Sequence, residues 1–431
     1  MPIDPAVQRL PDVHDRFTDT DEMLSHARQQ ADALKLDDYF VVDVDSHREP
    51  TIHWPEVLQY VENPVIRRNS EHDFDTYGRL QYVPFGNFAG TGFAFQAAHG
   101  RIPHQEPSGQ QVLDEDVHRD VVLCRQAMDA LSIDVQVVFP TALLALGMSP
   151  MPEAEAQIAY AYNRWMVERF IPEEPRLVFL PYLPIHDVDM SLRIIEEFAG
   201  RPGVVGFLVT SIRYSPVHDN RFMPIYAALE RAGLPLAFHA GFTWDDEWMR
   251  TMNRFISVHA VSFVHCNIVH MTNWIMNGLP ERFPNLKPIW VESGLAWVPF
   301  LMQRLDHEYI KRTSEAPLLE RLPSEYMREM FYTSQPMEMD NLELLQSTLK
   351  AIKADTQLTY ASDWPHWDFD LPGCFLGFDF LDDQAKRNIL GLNAASLFNL
   401  EPKLQVNRHA ITQEGARDEH DRGISRQPQP S

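Results

Sequence analysis

The chain has 431 residues, 45% of them hydrophobic, which is enough for one large α/β barrel or two ordinary domains. A formal charge of −24 speaks against nucleic acid or an anionic membrane surface as partner, since both need a basic face. Three cysteines (Cys124, Cys266, Cys374) without CxxC spacing argue against a disulfide framework and a cysteine zinc site, and no apolar run approaches ~18 residues, so a reducing cytoplasm is the expected setting.

The first 38 residues read as a charged extension with a helix around Asp21 to Leu36, followed by an opening strand from Tyr39 to Asp45. A long irregular insertion follows. Its centre, "QYVPFGNFAGTGFAFQAAHGRIPHQEPSGQQ", is rich in Gly and Phe, which favours an ordered lid over a flexible linker. From Arg119 the pattern is regular. Helices are expected over Arg119–Leu131, Pro152–Phe170, Val188–Phe198, Phe222–Ala232, Trp244 to Asn277, Trp297 to Ile310 and Lys386–Leu400. Apolar strand runs alternate with them: Val135–Thr141, Arg176–Ile185, Val204–Ser211, Leu234–Phe242, Leu286–Gly294, Met330–Pro336 and Leu358–His366. Eight strands buried on both faces and separated by helices predict a parallel (β/α)8 TIM barrel over residues 39–403, followed by a polar tail, 404–431, expected to be extended.

In such barrels the chemistry sits at the C-terminal ends of the strands. The first strand runs into "DVDSHRE", with Asp43, Asp45, His47 and Glu49 at every second position and so on one face. The fifth strand ends in His239, the sixth in Glu292, and the eighth in Asp363 with His366 just beyond. Taken singly, His239 has an ordinary reading as a hydrogen-bonded core histidine, and Asp363 ahead of "WPH" as a helix cap. At equivalent ends of four strands, these carboxylates and imidazoles would leave buried charge unpaired unless a cation gathers them.

The segments "DVDSH", "LPLAFHAG", "GLPERFPNLKPIWVESGLAWVPFLMQRLD", "YASDWPH" and "RNILGLNAASLFNL" resemble the amidohydrolase-related family of metal-dependent barrels, which holds hydrolases and non-oxidative decarboxylases. The resemblance runs from about Tyr39 to Leu400. It implies metal ligation by Asp45, His47, His239 and Asp363. The chain departs from the common pattern in three places: Asp45 stands where many members carry a first His, "VVGFLVTS" has no lysine to carry a bridging carbamate, and Glu292 stands where decarboxylating relatives carry His. These changes are similar to a subgroup of dinuclear non-haem oxygenase components such as 2-aminoisobutyrate hydroxylase, and they favour Fe or Mn, with Zn also compatible.

The resemblance thus implies an Fe/Mn monooxygenase component acting on a small carboxylate-bearing molecule, with one or two metals per chain. A reductase or ferredoxin and a second amidohydrolase-like subunit are the implied partners in an oligomer. The alternatives are a metal-dependent hydrolase or decarboxylase, in which Glu292 or His366 moves a proton, and a non-catalytic partner subunit. Glu49 and, from "VHCNIVH", His265 are the candidates for a second metal. His270 lies five residues on, about 140° around a straight helix, and reads as a partly buried helix histidine. Trp364, Ser334 and Gln335 are the expected pocket residues. No G-x-S-x-G elbow is present, which excludes the common serine-hydrolase arrangement.

Overall fold

The computed structural model describes residues 20–48, 53–78, 80, 117–211, 215–241, 243, 246–366 and 368–403. Expectations for the N-terminal residues 1–19, the Gly/Phe-rich centre of the insertion, Glu49 and the tail lie outside the described residues.

Eight strands alternate with helices: β1 Val42–Arg48, β2 Val135–Pro140, β3 Leu177–Phe179, β4 Phe207–Thr210, β5 Leu236–His239, β6 Pro288–Val291, β7 Phe331–Thr333 and β8 Leu358–Thr359. Every pairing is parallel, in two runs of sequential neighbours, β1-β2-β3 and β4-β5-β6-β7-β8. Isolated parallel bridges join the runs at both seams. Phe179 and Tyr182 meet Val204 and Leu208, while Ser46 meets Trp364. At the second seam Val44 N–H donates to the Tyr360 carbonyl (2.9 Å), Asp363 N–H to that of Asp45 (2.7 Å), and His47 N–H to that of Trp364 (2.8 Å). The fold is a TIM barrel, and its last strand is tied to its first through the residues that carry the polar strand ends.

From β2 onward the strands are shorter than their expected runs. β8 spans only Leu358–Thr359, although the sequence predicts a strand running to His366. The long helical region expected from Trp244 begins as a helix only at Phe255 and ends at Met276. With a mean hydropathy of 1.2, this helix is the one described helix long and apolar enough to cross a membrane. It packs on the barrel through Met271 and Trp274, whose ring stands edge-on to Tyr226 and Phe238. Two helices, Trp54–Leu58 and Pro64–Tyr77, lie where the sequence reads as irregular. The second carries an overlooked start signal: Pro64 occupies the first turn, and the Asn63 side chain accepts from Val65 N–H and Ile66 N–H.

Candidate metal centre

Two groups of ligand-type side chains form at the mouth, Asp45–His47–His239–Glu292 and His47–Glu292–Asp363–His366, and they share His47 and Glu292. All six residues are buried. His47 Nε2 lies 3.1 Å from Asp45 Oδ1 and 3.0 Å from Asp363 Oδ1. His239 Nε2 lies 3.3 Å from His47 Nε2, 3.3 Å from Asp45 Oδ1 and 3.4 Å from Glu292 Oε2. His366 Nδ1 is 2.6 Å from Asp363 Oδ1, and its ring stacks on His47 at 4.0 Å.

These separations fit a cation. Donors held about 2.1 Å from one ion lie roughly 3.0–3.4 Å apart. Asp45 Oδ2 and Asp363 Oδ2 accept no hydrogen bond among the described residues, and such orphaned buried oxygens are costly without a counter-charge. The imidazoles are pre-set for ligation. His239 Nδ1–H donates to the Ala240 carbonyl at 2.6 Å, so its Nε2 lone pair faces the mouth. In the matching tautomer His47 Nδ1–H donates to Thr141 Oγ1 at 3.1 Å.

Electrostatics give the same answer. Burial pushes the Glu292 carboxyl well above the usual range, and the neighbouring Asp45 and Asp368 push it further. Burial likewise raises Asp363, with Glu292, Asp368, Asp45 and Asp43 adding to it. Burial would raise Asp45 as well, but His239 and His47 outweigh it and lower that carboxyl to about 2. Burial lowers the His47 imidazole. Three carboxylates here cannot all ionise without a cation.

The backbone is strained at two of the same residues. Glu292 and Asp363 have φ of 55° and 60°. The other described non-glycine residues with positive φ, Lys35, Ser132, Lys353 and Asn399, all flank helix ends. Left-handed φ in a non-glycine residue costs about 1–3 kcal/mol and clusters at functional sites. The chain turns sharply at both carboxylates, just after β6 and four residues after β8, and both side chains are buried at the mouth.

The remaining expected residues fall elsewhere. His265 is partly exposed, 4.0 Å from Asp246 Oδ2, and joins neither mouth group; its helix turns it toward a cavity of about 170 Å³ shared with Cys266, Ser211 and Thr243. His270 is buried and bonded to the Ser211 carbonyl at 2.8 Å. Ser334 is engaged by the segment after β8, its hydroxyl accepting from Ala361 N–H at 3.0 Å. Gln335 Nε2 donates to the Asp368 carbonyl at 3.2 Å, and Trp364 is buried edge-on to Phe369. Asp43 turns from the mouth into a clamp on the segment after β8, accepting from Ser362 N–H (2.8 Å) and Ser362 Oγ–H (2.6 Å). The register between β1 and β2 shifts between Asp43 and Ser46, which interrupts simple alternation along β1. Thr141, the Ala240 carbonyl and Asp368 complete the surroundings, and only the position of Thr141 at the end of β2 was a sequence signal for any of them.

Fold and site together define a metal-dependent barrel enzyme. The amidohydrolase family model matches residues 114–400, and the chain belongs to that family. Among solved structures it is similar to 5-carboxyvanillate decarboxylase from Sphingomonas paucimobilis (20% identity, TM-score 0.58, covering 84% of this chain and 100% of that one). It is also similar to an amidohydrolase from Mycobacterium avium subsp. paratuberculosis (20%, TM-score 0.60, 84% and 99%). A third is the 5-carboxyvanillate decarboxylase from Novosphingobium aromaticivorans complexed with manganese and 4-hydroxy-3-methoxy-5-nitrobenzoic acid (17%, TM-score 0.59, 84% and 97%). At these identities the likeness is one of fold. No curated protein sequence matches the chain.

Proposed function

We propose that this chain is a divalent-metal-dependent, non-oxidative decarboxylase of a small organic acid, with metal-assisted hydrolysis as the alternative use of the same centre. The observation that carries the reading is the convergence at one mouth of six buried donor side chains from β1, from β5 and from the segments that follow β6 and β8. Asp45, His47, His239 and Asp363 would hold the ion. Manganese is the first candidate, because the decarboxylase from Novosphingobium aromaticivorans carries it, and Zn or Fe also suits the mixed donors. When bound, the ion polarises a substrate carboxylate or a water.

The chain's own groups do the rest. Loss of CO2 leaves the bonding electron pair on carbon, which must take up a proton. Glu292, on the turned end of β6, is the residue to hold that proton, and His366 beside Asp363 is the second candidate. The oxygenase expectation gives way to this alternative for two reasons. The solved structures named above are decarboxylases and an amidohydrolase. Of the residues expected to bind a second metal, His265 stands outside the mouth groups.

The test is anaerobic turnover. Manganese-loaded protein is offered a panel of hydroxybenzoates that includes 5-carboxyvanillate, and CO2 release is followed with and without oxygen. Metal-dependent, oxygen-independent release is expected, with Glu292→Gln slowing kcat by roughly 10²–10⁴-fold as for a lost general acid. Product formed only with oxygen, and carrying label from ¹⁸O₂, overturns the reading.

A further inference from the structure

We propose that His53, His118 and Asp120 form a second divalent-cation site, of zinc type, separate from the barrel mouth. The three side chains present ligand atoms within 4.8 Å of one another and share no residue with the mouth groups. Their place is structurally distinct. His53 and His118 precede the helices Trp54–Leu58 and Arg119–Leu131, and Asp120 lies in the first turn of the second.

The site is enclosed. His118 is 9% exposed, Asp120 12% and His53 14%. Trp165 and Phe170 stand edge-on to the His118 ring, each at 5.6 Å, and form an apolar wall. The His53 and His118 rings lie 4.1 Å apart. Buried neighbouring imidazoles normally find donors or acceptors, yet among the described residues neither His53 Nε2 nor His118 Nε2 has a hydrogen-bond partner.

The outer contacts aim His53 inward. Its Nδ1 is 3.2 Å from Glu56 Oε1, and Trp165 Nε1–H holds the other oxygen of that carboxylate at 3.1 Å. A carboxylate behind one ring nitrogen is the usual support for a histidine that ligates through the other. His53 Nε2 then presents its lone pair to Asp120 Oδ2 at 3.6 Å, a repulsive approach unless a cation or a proton lies between them. Asp120 Oδ1 is taken by Arg119 Nη1 at 3.2 Å, which leaves Oδ2 for the site.

His118 imposes the one cost. Its Nδ1 accepts from Asp120 N–H at 3.3 Å, a long helix-cap bond, so ligation through Nε2 exchanges that bond for an Nδ1–H. Glu56 Oε2, 3.9 Å from His118 Nε2 and on a partly exposed side chain, can supply a fourth ligand and opens the cluster to solvent. Two imidazoles and carboxylate oxygens are a donor set that Zn²⁺ and Co²⁺ accept.

The site is tested by counting ions on the full-length protein, stripped with chelator and reloaded with Co²⁺. Relative to the parent, the double variant His53→Gln/Asp120→Asn should bind one Co²⁺ fewer per chain and lose part of the visible Co²⁺ absorption. The double variant His47→Ala/His239→Ala, which disables the mouth and leaves this cluster untouched, should retain one Co²⁺ with its visible bands. Equal counts in the parent and the first variant overturn the proposal. So does a second variant that binds none, whatever the stability of the first. Should the mouth hold no ion, the parent and the second variant would each bind one, which separates failure of the functional reading from failure of this one.

Discussion

His47 shows how little of a metal ligand's behaviour belongs to the ligand itself. Its Nε2 meets Asp45 and Asp363 at 3.1 and 3.0 Å because its ring is held from behind by Thr141 Oγ1 at 3.1 Å. His239 is held in the same way by the Ala240 carbonyl. A backbone acceptor cannot be removed by substitution, but a hydroxyl can. Thr141→Val keeps the side-chain shape and removes the acceptor. It is expected to weaken metal binding by roughly 10–100-fold while leaving the fold intact, as measured by competition with a chromophoric chelator. An unchanged affinity would show that the Thr141 hydroxyl does not orient the ring. Asp43 makes the complementary point. It shares the chemistry of Asp45 two residues on, yet it is consumed by Ser362, and burial raises its carboxyl to about 7 despite those bonds. Identical side chains on one strand separate into ligand and clamp according to what the neighbouring strand offers.

The layer of helices is tied to the barrel by a small buried ion network below β3. Glu174 accepts from Arg125 Nε at 2.7 Å and from Arg176 Nε at 3.1 Å, and Arg176 Nη1 reaches Asp129 Oδ1 at 2.7 Å. The helix Arg119–Leu131 is thereby fastened to the segment that enters β3. Burial alone would raise the Glu174 carboxyl, but the hydrogen bonds from Arg176 and Arg125 outweigh it and hold the carboxyl below its ordinary value. A depressed folded-state value means that the folded chain binds fewer protons than the unfolded one. The contribution is therefore fully present above the unfolded value, about 4.3, and is lost as pH falls through the folded value. Glu174→Gln is expected to lower Tm at neutral pH, and its deficit against the parent should shrink as pH drops below about 4.3. Melting curves at a series of pH values check this, and a deficit independent of pH would rule it out.

For the molecule as a whole, closing the barrel brings Asp45, Glu292 and Asp363 together inside a chain whose formal charge is already −24. That background field draws cations and makes the empty mouth unfavourable. Metal is accordingly expected to stabilise the folded state by mass action, by about 2.7 kcal/mol when the free ion stands a hundredfold above Kd. Chelation should lower Tm, and re-addition of Mn²⁺ or Zn²⁺ should restore it. A melting temperature indifferent to both treatments would mean that the mouth takes no ion.

The sequence by itself determined the alternation of strands and helices and the residues placed at the strand ends. Asp45, His47, His239, Glu292, Asp363 and His366 were all legible, because apolar periodicity shows where a buried strand stops and polar chemistry begins. It could not place His265, since a helix histidine's target depends on how the helix rotates against the barrel. Nor could it show that Ser334 is consumed by Ala361, or that His53 and His118, 65 positions apart, form one cluster with Asp120. Only the tertiary structure decided these, for one physical reason. Distances of 3 to 4 Å between side chains remote in sequence are set by ring closure, register and helix packing, and none of those leaves a mark within any single stretch of chain.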